Sequence, residues 1–297
     1  MILFSPTIIH RDILDMNSET VVAPIKDLPE RVGKRIVREL GNFSVPLNFN
    51  NKPIGSGTLV QYQDRYGILT ASHVLHETGI KIDSTSKDHL GIGVLKTENC
   101  FSVPCELIVE LDIGSPPNCK YGPMGPDVAV LLLPFGGDWV NTVKMGKTFY
   151  NLLSHEASDE IVGSSQNFAM SGFPADSTRY FTDASDEKVV IARHIVFSGH
   201  VNTDEYRESD GFDYVEIHVR DEVPEENLKH YNGMSGGGLW NIPINIDDAQ
   251  DFSNAQIAKI SLSGVVYYQD WNSDSKRLLR SHGPKTILKV AQAMKDY

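Results

Sequence analysis

The chain has 297 residues, which is enough for one large all-β domain or two modest ones, each with its own core. With 40% hydrophobic and 22% charged residues, its composition is that of an ordinary globular protein. Its formal net charge of -12 argues against nucleic acid as the main partner, because phosphate binding needs clustered Lys and Arg. No run of about 18 uninterrupted apolar residues occurs, so the sequence predicts neither a membrane span nor a membrane partner.

Residues 1–44 are predicted to form a partly helical N-terminal extension. Within it, Lys26 to Leu40 has helical character, with Val32, Ile36, Val37 and Leu40 on one stripe. The opening MILFSPTIIHRDILD lacks a basic start and a long apolar run, so it is a poor signal peptide. The three cysteines are an odd number and are best interpreted as reduced thiols, although a Cys100–Cys105 bridge stays open. Together these features predict a cytoplasmic protein.

From about residue 46 the pattern changes to short strands with turn residues between them, which indicates a sandwich or barrels. Regular alternation of strands and helices is missing, which argues against a doubly wound sheet. A hairpin is predicted from Ile54–Tyr62 and Tyr66–Ala71. The other predicted strands are Gly91–Lys96, Phe101–Leu111, Asp127–Pro134, Asn167–Pro174, Lys188–Val201, Phe212–Val219, Gly237–Trp240 and Ile257–Tyr268. Residues 284–297 are predicted to form a C-terminal helix behind a proline.

Three short motifs carry the residues of a nucleophilic hydrolase. YGILTASHVL (66–75) places His73 just after an apolar strand, GPDVAVLLLP (125–134) places Asp127 just before one, and YNGMSGGGLW (231–240) sets Ser235 among glycines. A serine hydroxyl becomes a good nucleophile only when a base takes its proton, and histidine suits that role near neutral pH. A buried carboxylate can hold the imidazole in one tautomer, and glycines leave backbone N–H groups to bind an oxyanion.

These motifs resemble those of the chymotrypsin-like serine peptidases. TASHV is similar to the family's segment around the catalytic His, PDVAVLLL to its Asp segment and GMSGG to its Ser segment, in the same chain order. The resemblance implies an all-β fold of two antiparallel six-stranded barrels with a C-terminal helix. Residues 45–150 would form the barrel carrying His73 and Asp127, and residues 151–297 the barrel carrying Ser235.

By the same resemblance, His73 would be the general base, Asp127 would orient it, and Ser235 would attack a peptide bond. The backbone N–H groups of Gly233 and Ser235 would form the oxyanion hole. No cofactor or metal is expected. The expected partners are a protein or peptide substrate and a regulatory protein that restrains a peptidase inside the cell.

The sequence also departs from the family pattern. Met234 stands where secreted members often have an Asp that serves zymogen activation, so no switch of that kind is expected. Tyr267 is the nearest equivalent of a serine that usually lines the cleft. The residue six before the nucleophile often lines the specificity pocket. Here it is Lys229, followed by His230, which would favour an acidic substrate side chain.

Two alternatives stay open. GMSGG also fits the nucleophile elbow of α/β-hydrolases, with Asp270 or Asp274 and His282 completing an esterase triad, although the segment before Ser235 is polar rather than strand-like. The chain could also be an inactive peptidase fold that serves as a binding module.

Overall fold

A computed structural model describes residues 29–50, 52–94, 101–115, 125–134, 138–154, 168–182, 188–201, 207–219, 232–245, 252–271 and 277–297. Most of the regular structure is β, in antiparallel sheets, with a C-terminal helix. No helix in these residues is long and apolar enough to cross a lipid bilayer.

The first sheet comes from the N-terminal half of the chain and has eight strands. Seven of them follow the spatial order β5-β4-β1-β2-β3-β7-β6, and β8 adds a short parallel pairing to β2. The strands are β1 (Ser44–Phe49), β2 (Lys52–Tyr62), β3 (Arg65–Thr70), β4 (His89–Ile92), β5 (Phe101–Pro104), β6 (Val109–Gly114), β7 (Val128–Leu132) and β8 (Tyr150–Asn151). β7 is buried along its whole length, as its unbroken apolar sequence predicts.

The second main sheet has seven strands in the order β12-β9-β15-β18-β19-β14-β13. An extra pairing between β12 and β14 joins the ends of a six-strand run, so this sheet curves round on itself. Its strands are β9 (Phe168–Gly172), β12 (Ile195–Val201), β13 (Arg207–Ser209), β14 (Phe212–Val219), β15 (Gly238–Asn241), β18 (Ser261–Trp271) and β19 (Arg277–His282). Two further strand pairs are β10 (Arg179–Thr182) with β11 (Lys188–Ile191), and β16 (Ile244–Asn245) with β17 (Gln256–Ile257).

Four α-helices accompany the sheets: α1 (Glu30–Phe43), α2 (Ser72–His76), α3 (Asp138–Lys144) and α4 (Pro284–Asp296). Both α1 and α4 contact strands of each main sheet. The N-terminus of α4 is held by the buried carboxylate of Asp213, which accepts hydrogen bonds from the backbone N–H groups of Lys285 and Thr286, each at 2.9 Å. A carboxylate at this place satisfies helix donors that have no partner within the helix.

The end of α1 is tied down by a buried lysine. Lys147 Nζ donates hydrogen bonds of 2.6 Å to the carbonyl oxygens of Gly41 and Ser44. Burial lowers the pKa of Lys147 to about 8, because the charged form loses its hydration. Val32, Ile36 and Leu40 of α1 are buried in the main apolar core, so this helix is part of the core rather than a detachable segment.

A second, smaller apolar cluster lies within the curved second sheet. It contains Met234, the residue before Ser235, with only 1% of its surface exposed. The apolar side chain of Met234 therefore anchors this segment by burial.

The predicted all-β character, the hairpin and the C-terminal helix are confirmed, whereas the two six-stranded barrels are not confirmed and stay a prediction. Four predicted strands were wrong in extent. Gly91–Lys96 overlaps β4, which begins at His89 and ends at Ile92. The other three each divide into two elements. Phe101–Leu111 divides after Pro104, where a 3₁₀ turn over Cys105–Leu107 separates β5 from β6. Lys188–Val201 divides into β11 and β12, and Ile257–Tyr268 into β17 and β18. The predicted helix over Lys26 to Leu40 corresponds to α1, which begins at Glu30 and ends at Phe43; residues 1–28 lie outside the described part of the chain.

Candidate active site

His73 and Asp127 meet at one edge of the first sheet. β3 pairs antiparallel with β7, with Thr70 opposite Ala129, so the end of one strand lies beside the start of the other. The chain leaves β3 into the short helix α2, which carries His73, while Asp127 immediately precedes β7. His73 Nδ1 lies 2.6 Å from Asp127 Oδ2, and the backbone N–H of His73 donates to Asp127 Oδ1 at 2.9 Å. Two bonds to one carboxylate fix both the position and the tautomer of the imidazole.

The surroundings of this pair stabilise the protonated form of the His73 ring. Burial disfavours the imidazolium, but the hydrogen bond and the negative charge of Asp127, with a smaller contribution from Glu77, raise the pKa of His73 above its usual value. The Asp127 side chain is only 2% exposed, whereas that of His73 is 20% exposed. The carboxylate is therefore shielded from water while the ring keeps access to the surface.

His76, one turn further along α2, has a different partner. Its Nε2 lies 3.1 Å from Glu110 Oε1, in a more exposed position than His73. Burial raises the pKa of Glu110 in spite of His76, whose charge and hydrogen bond oppose the shift. Within the described chain, His73 rather than His76 is therefore bonded to the buried Asp127.

Ser235 lies in a glycine-containing turn just before β15. Gly236 has φ +87°, and a Cβ there would fall 1.9 Å from Ser56 O and 2.3 Å from Thr70 Oγ1, so only glycine fits. The Gly236 N–H donates to Val266 O at 2.7 Å, which joins the turn to β18.

Hydroxyl groups from the first sheet hold this turn against the second sheet. Ser56 Oγ donates to Gly233 O at 2.5 Å and accepts from the Phe173 N–H at 2.9 Å, so one buried hydroxyl joins β2 to two segments of the other half. Thr58 Oγ1 adds a longer bond of 3.3 Å to Gly236 O. These contacts fix the turn at the junction of the two sheets.

Ser235 itself contacts the strand that flanks α2. The Ser56 N–H donates to Ser235 O at 2.8 Å. A Cβ on Gly55 would lie 2.8 Å from Val74 Cγ2 and 3.1 Å from Ser235 O. Ser235 and the residue after His73 therefore flank the same glycine, and all three predicted triad residues lie at this junction.

The backbone around Ser235 has the features that an anion site needs. Gly233 has φ +92°, and a Cβ there would lie 2.7 Å from Phe173 O, so the chain turns tightly against the end of β9. Among the hydrogen bonds between described residues, none uses the N–H of Gly233 or Ser235 as its donor. Such N–H groups can stabilise a developing negative charge on a substrate oxygen.

The three predicted pocket residues have different outcomes. Lys229 and His230 lie outside the described residues. Tyr267 is 1% exposed, and its ring stacks on the buried ring of His282 with centroids 4.5 Å apart. The side chain thus lies in the interior beside the site, and its part in substrate binding stays a prediction.

The contact of His282 with the candidate site was not predicted from the sequence. It lies on β19, a strand absent from the prediction, and is fully buried. Its Nε2 accepts a 3.0 Å hydrogen bond from the backbone N–H of Asp127. In the esterase alternative this histidine would activate Ser235, but the buried contact with Asp127 and the antiparallel sheets do not fit that alternative.

A cavity of about 540 Å³ lies elsewhere, lined by Arg65, Tyr66, Lys144 and Tyr297 among others, and none of the candidate triad residues lines it. Cys105 is a buried free thiol whose pKa burial raises to about 11, so it is a poor nucleophile. Cys100 and Cys119 lie outside the described residues.

No family model and no curated protein matches the chain. A search of solved structures found similar chains. One covers 82% of this chain and 85% of its own length at 14% identity with a TM-score of 0.37, and comes from work described as "Aromatic interactions drive the coupled folding and binding of the intrinsically disordered Sesbania mosaic virus VPg protein". A likeness at this level carries no argument about fold or function.

Proposed function

We propose that the protein is a serine endopeptidase of the chymotrypsin-like type. Ser235 attacks the substrate carbonyl, His73 takes the proton from its hydroxyl and passes it to the leaving amine, and Asp127 orients His73. An acyl-enzyme on Ser235 then forms and is hydrolysed by water, so no cofactor is needed.

The observation that carries this proposal is the double hydrogen bond between His73 and the buried Asp127, at 2.6 and 2.9 Å, beside the Ser235 turn. A histidine used only for structure needs no shielded carboxylate on Nδ1 and no exposed face. Here the remaining ring nitrogen is the one that could accept a proton from a serine.

The proposal has further elements beyond the three side chains. Gly233 and Ser235 donate their N–H groups to the oxyanion of the tetrahedral intermediate, which is stabilised by about 3 kcal/mol per donor. The two sheets represent two barrels with the site between them. The substrate is a protein or peptide in the cytoplasm, and a regulatory protein limits access to the site.

The proposal is tested with a fluorophosphonate probe, which reacts with activated serines. We expect the wild-type chain to be labelled and Ser235→Ala to lose all labelling. Ser209→Ala, which removes an exposed hydroxyl on β13, is the matched control and should label like wild type.

A folded wild-type chain that takes no label would contradict the hydrolase proposal and favour a binding module. Labelling that survives in Ser235→Ala would show that another residue reacts. A peptide-library digest with the same two variants then identifies the cleaved bond.

A further inference from the structure

We propose that His282 is a positioning residue of this site: it holds the main chain of Asp127 so that both carboxylate oxygens face His73. This inference rests on the proposed function. His282 touches neither the substrate nor the reacting atoms, and it acts through Asp127.

The register of the second sheet brings His282 to this point. It pairs with Val265 of β18 on one side and with Tyr214 of β14 on the other, and Val265 pairs in turn with Gly238 at the start of β15. One row across three strands, β15, β18 and β19, therefore leads from the end of the Ser235 turn to His282. The same sheet that presents the proposed nucleophile also supports the proposed carboxylate.

The hydrogen bond determines the tautomer of His282. Because Nε2 accepts from the Asp127 N–H at 3.0 Å, Nε2 carries no proton and the neutral ring has its proton on Nδ1. A protonated ring would present an N–H to the Asp127 N–H, and the two donors would repel. The contact therefore requires an uncharged His282.

Burial keeps the ring uncharged. His282 is 0% exposed, and burial lowers its pKa to about 4, although the negative charges of Asp127 and Asp213 oppose this shift. Among the described residues, the tyrosines whose rings pack on His282 are Tyr214 and Tyr267. Burial raises the pKa of Tyr214 to about 12 and raises that of Tyr267 as well, so both tyrosines are neutral near pH 7.

Aromatic packing prevents the ring from turning away. Tyr267 stacks on it at 4.5 Å with an interplanar angle of 28°, and the rings of Tyr214 and Phe212 lie 5.1 and 5.8 Å from it. Phe212 also reaches the first sheet, because a Cβ on Gly114 would lie 2.6 Å from its ring. His282 is thus a fixed acceptor at the junction of the sheets.

A fixed main chain matters because Asp127 makes two directional bonds with one carboxylate. If its backbone shifts, both bonds to His73 cannot keep good geometry, and a misplacement of about 1 Å can reduce a rate about 100-fold. The loss should appear in kcat rather than in KM, because substrate contacts are unchanged.

The test compares His282→Phe, which keeps a ring without an acceptor, with His282→Asn, which restores an acceptor oxygen. The exposed His89→Asn on β4 is the control. The first readout is the proton resonance of His73 Nδ1–H, which a strong bond to a carboxylate moves far downfield. It is recorded in a Ser235→Ala background and so does not depend on hydrolysis. The second readout is the rate of fluorophosphonate labelling in the Ser235-containing chains.

We expect His282→Phe to lose or shift the His73 Nδ1–H resonance and to be labelled about 10- to 100-fold more slowly than wild type. On a logarithmic scale, the labelling rate of His282→Asn should recover at least half of that loss. A folded His282→Phe chain that keeps both the resonance and the rate within twofold of wild type would overturn the inference. If circular dichroism shows His282→Phe to be unfolded, His282→Leu takes its place with the same expectations. Should the wild type take no label at all, the proposed function fails and the resonance alone decides the positioning role.

Discussion

The two halves of the candidate site are held in place by different kinds of contact. His73 and Asp127 lie at strand ends of the first sheet and are joined by side-chain hydrogen bonds to one buried carboxylate. The Ser235 turn is fixed through its backbone, by glycine geometry and by the hydroxyl of Ser56. Removing the charge of Asp127 should therefore lower activity with little loss of stability. Adding a methyl group at a glycine of the Ser235 turn should instead lower the free energy of unfolding.

The largest expected effect is on the charged half. Asp127→Asn keeps the shape of the side chain, but its amide has only one oxygen, so it cannot accept from both the backbone N–H and the Nδ1–H of His73. An amide NH2 facing Nδ1 would favour the wrong tautomer of the ring. We expect kcat/KM for a peptide ester to fall about 10⁴-fold, with little change in the unfolding midpoint.

Asp112→Asn is the control for this change, because Asp112 is an exposed carboxylate on the neighbouring strand β6 that accepts a hydrogen bond from Ser115 Oγ. It should keep wild-type activity. A loss of less than tenfold in Asp127→Asn would contradict the assigned role.

The backbone half should respond in stability. Gly236→Ala places a methyl group 1.9 Å from Ser56 O at a positive φ, so either the turn or β2 must move. We expect the free energy of unfolding to fall by about 3 kcal/mol or more, measured by urea denaturation.

Gly79→Ala is the control that separates backbone strain from steric crowding as causes of that loss in stability. Gly79 also has a positive φ, +73°, but a Cβ there has nothing within 4 Å, so only backbone strain of about 1 kcal/mol is expected. Equal losses in the two variants would show that crowding at Gly236 is unimportant.

A smaller effect is expected where the halves meet. Ser56→Ala removes one hydroxyl that bonds both Gly233 O and the Phe173 N–H, and leaves two polar groups without that partner. We expect about 1–3 kcal/mol of lost stability in thermal unfolding, with slower probe labelling. Ser263→Ala removes the hydroxyl of another buried serine, which makes a long 3.5 Å hydrogen bond to Ser261 O, and should lose less stability. If Ser263→Ala lost more stability than Ser56→Ala, the hydrogen bonds of Ser56 would not be important for joining the two sheets.

The smallest effect is a difference in pH dependence between the histidines on either side of Asp127. The folded-state pKa of His282 is about 4, below the usual value, so its contribution to stability is complete above about pH 6.5 and is lost as the pH falls towards 4. His282→Asn should remove up to about 1.4 kcal/mol per pH unit from the slope of stability against pH in this range. An unchanged slope would mean that this ring is not neutral in the folded chain.

His73 has the opposite shift and should govern activity. Its pKa is raised, so the stability that its charged form contributes is present below the usual pKa and is lost as the pH rises through the folded value. Since only the neutral ring can accept the serine proton, the labelling rate should rise over that same interval, above about pH 6.5.

The sequence predicted the residues of the first half because their signals are local. Each stands next to an apolar run, and the ends of paired antiparallel strands share one edge of a sheet. The glycines around Ser235 likewise indicated a tight turn before Gly236 and Gly233 were found at positive φ.

The support behind Asp127 could not be predicted in this way. His282 follows RLLRS, a short segment without a clear alternating pattern, and its partner is a backbone N–H far away in the chain. The contact of His282 is thus decided by tertiary packing. The break after Pro104 has a local cause, because proline lacks the backbone N–H that a continuous strand would need.

The bonds that join the halves span long stretches of chain, which bears on how the protein folds. Ser56 meets Gly233 across 177 positions and His282 meets Asp127 across 155. Closing loops of this size costs entropy before the contacts repay it, so folding should be slow for a protein of this length. Neither sheet alone holds all three residues of the proposed triad, so refolding chains should regain probe labelling only after both sheets have formed and docked.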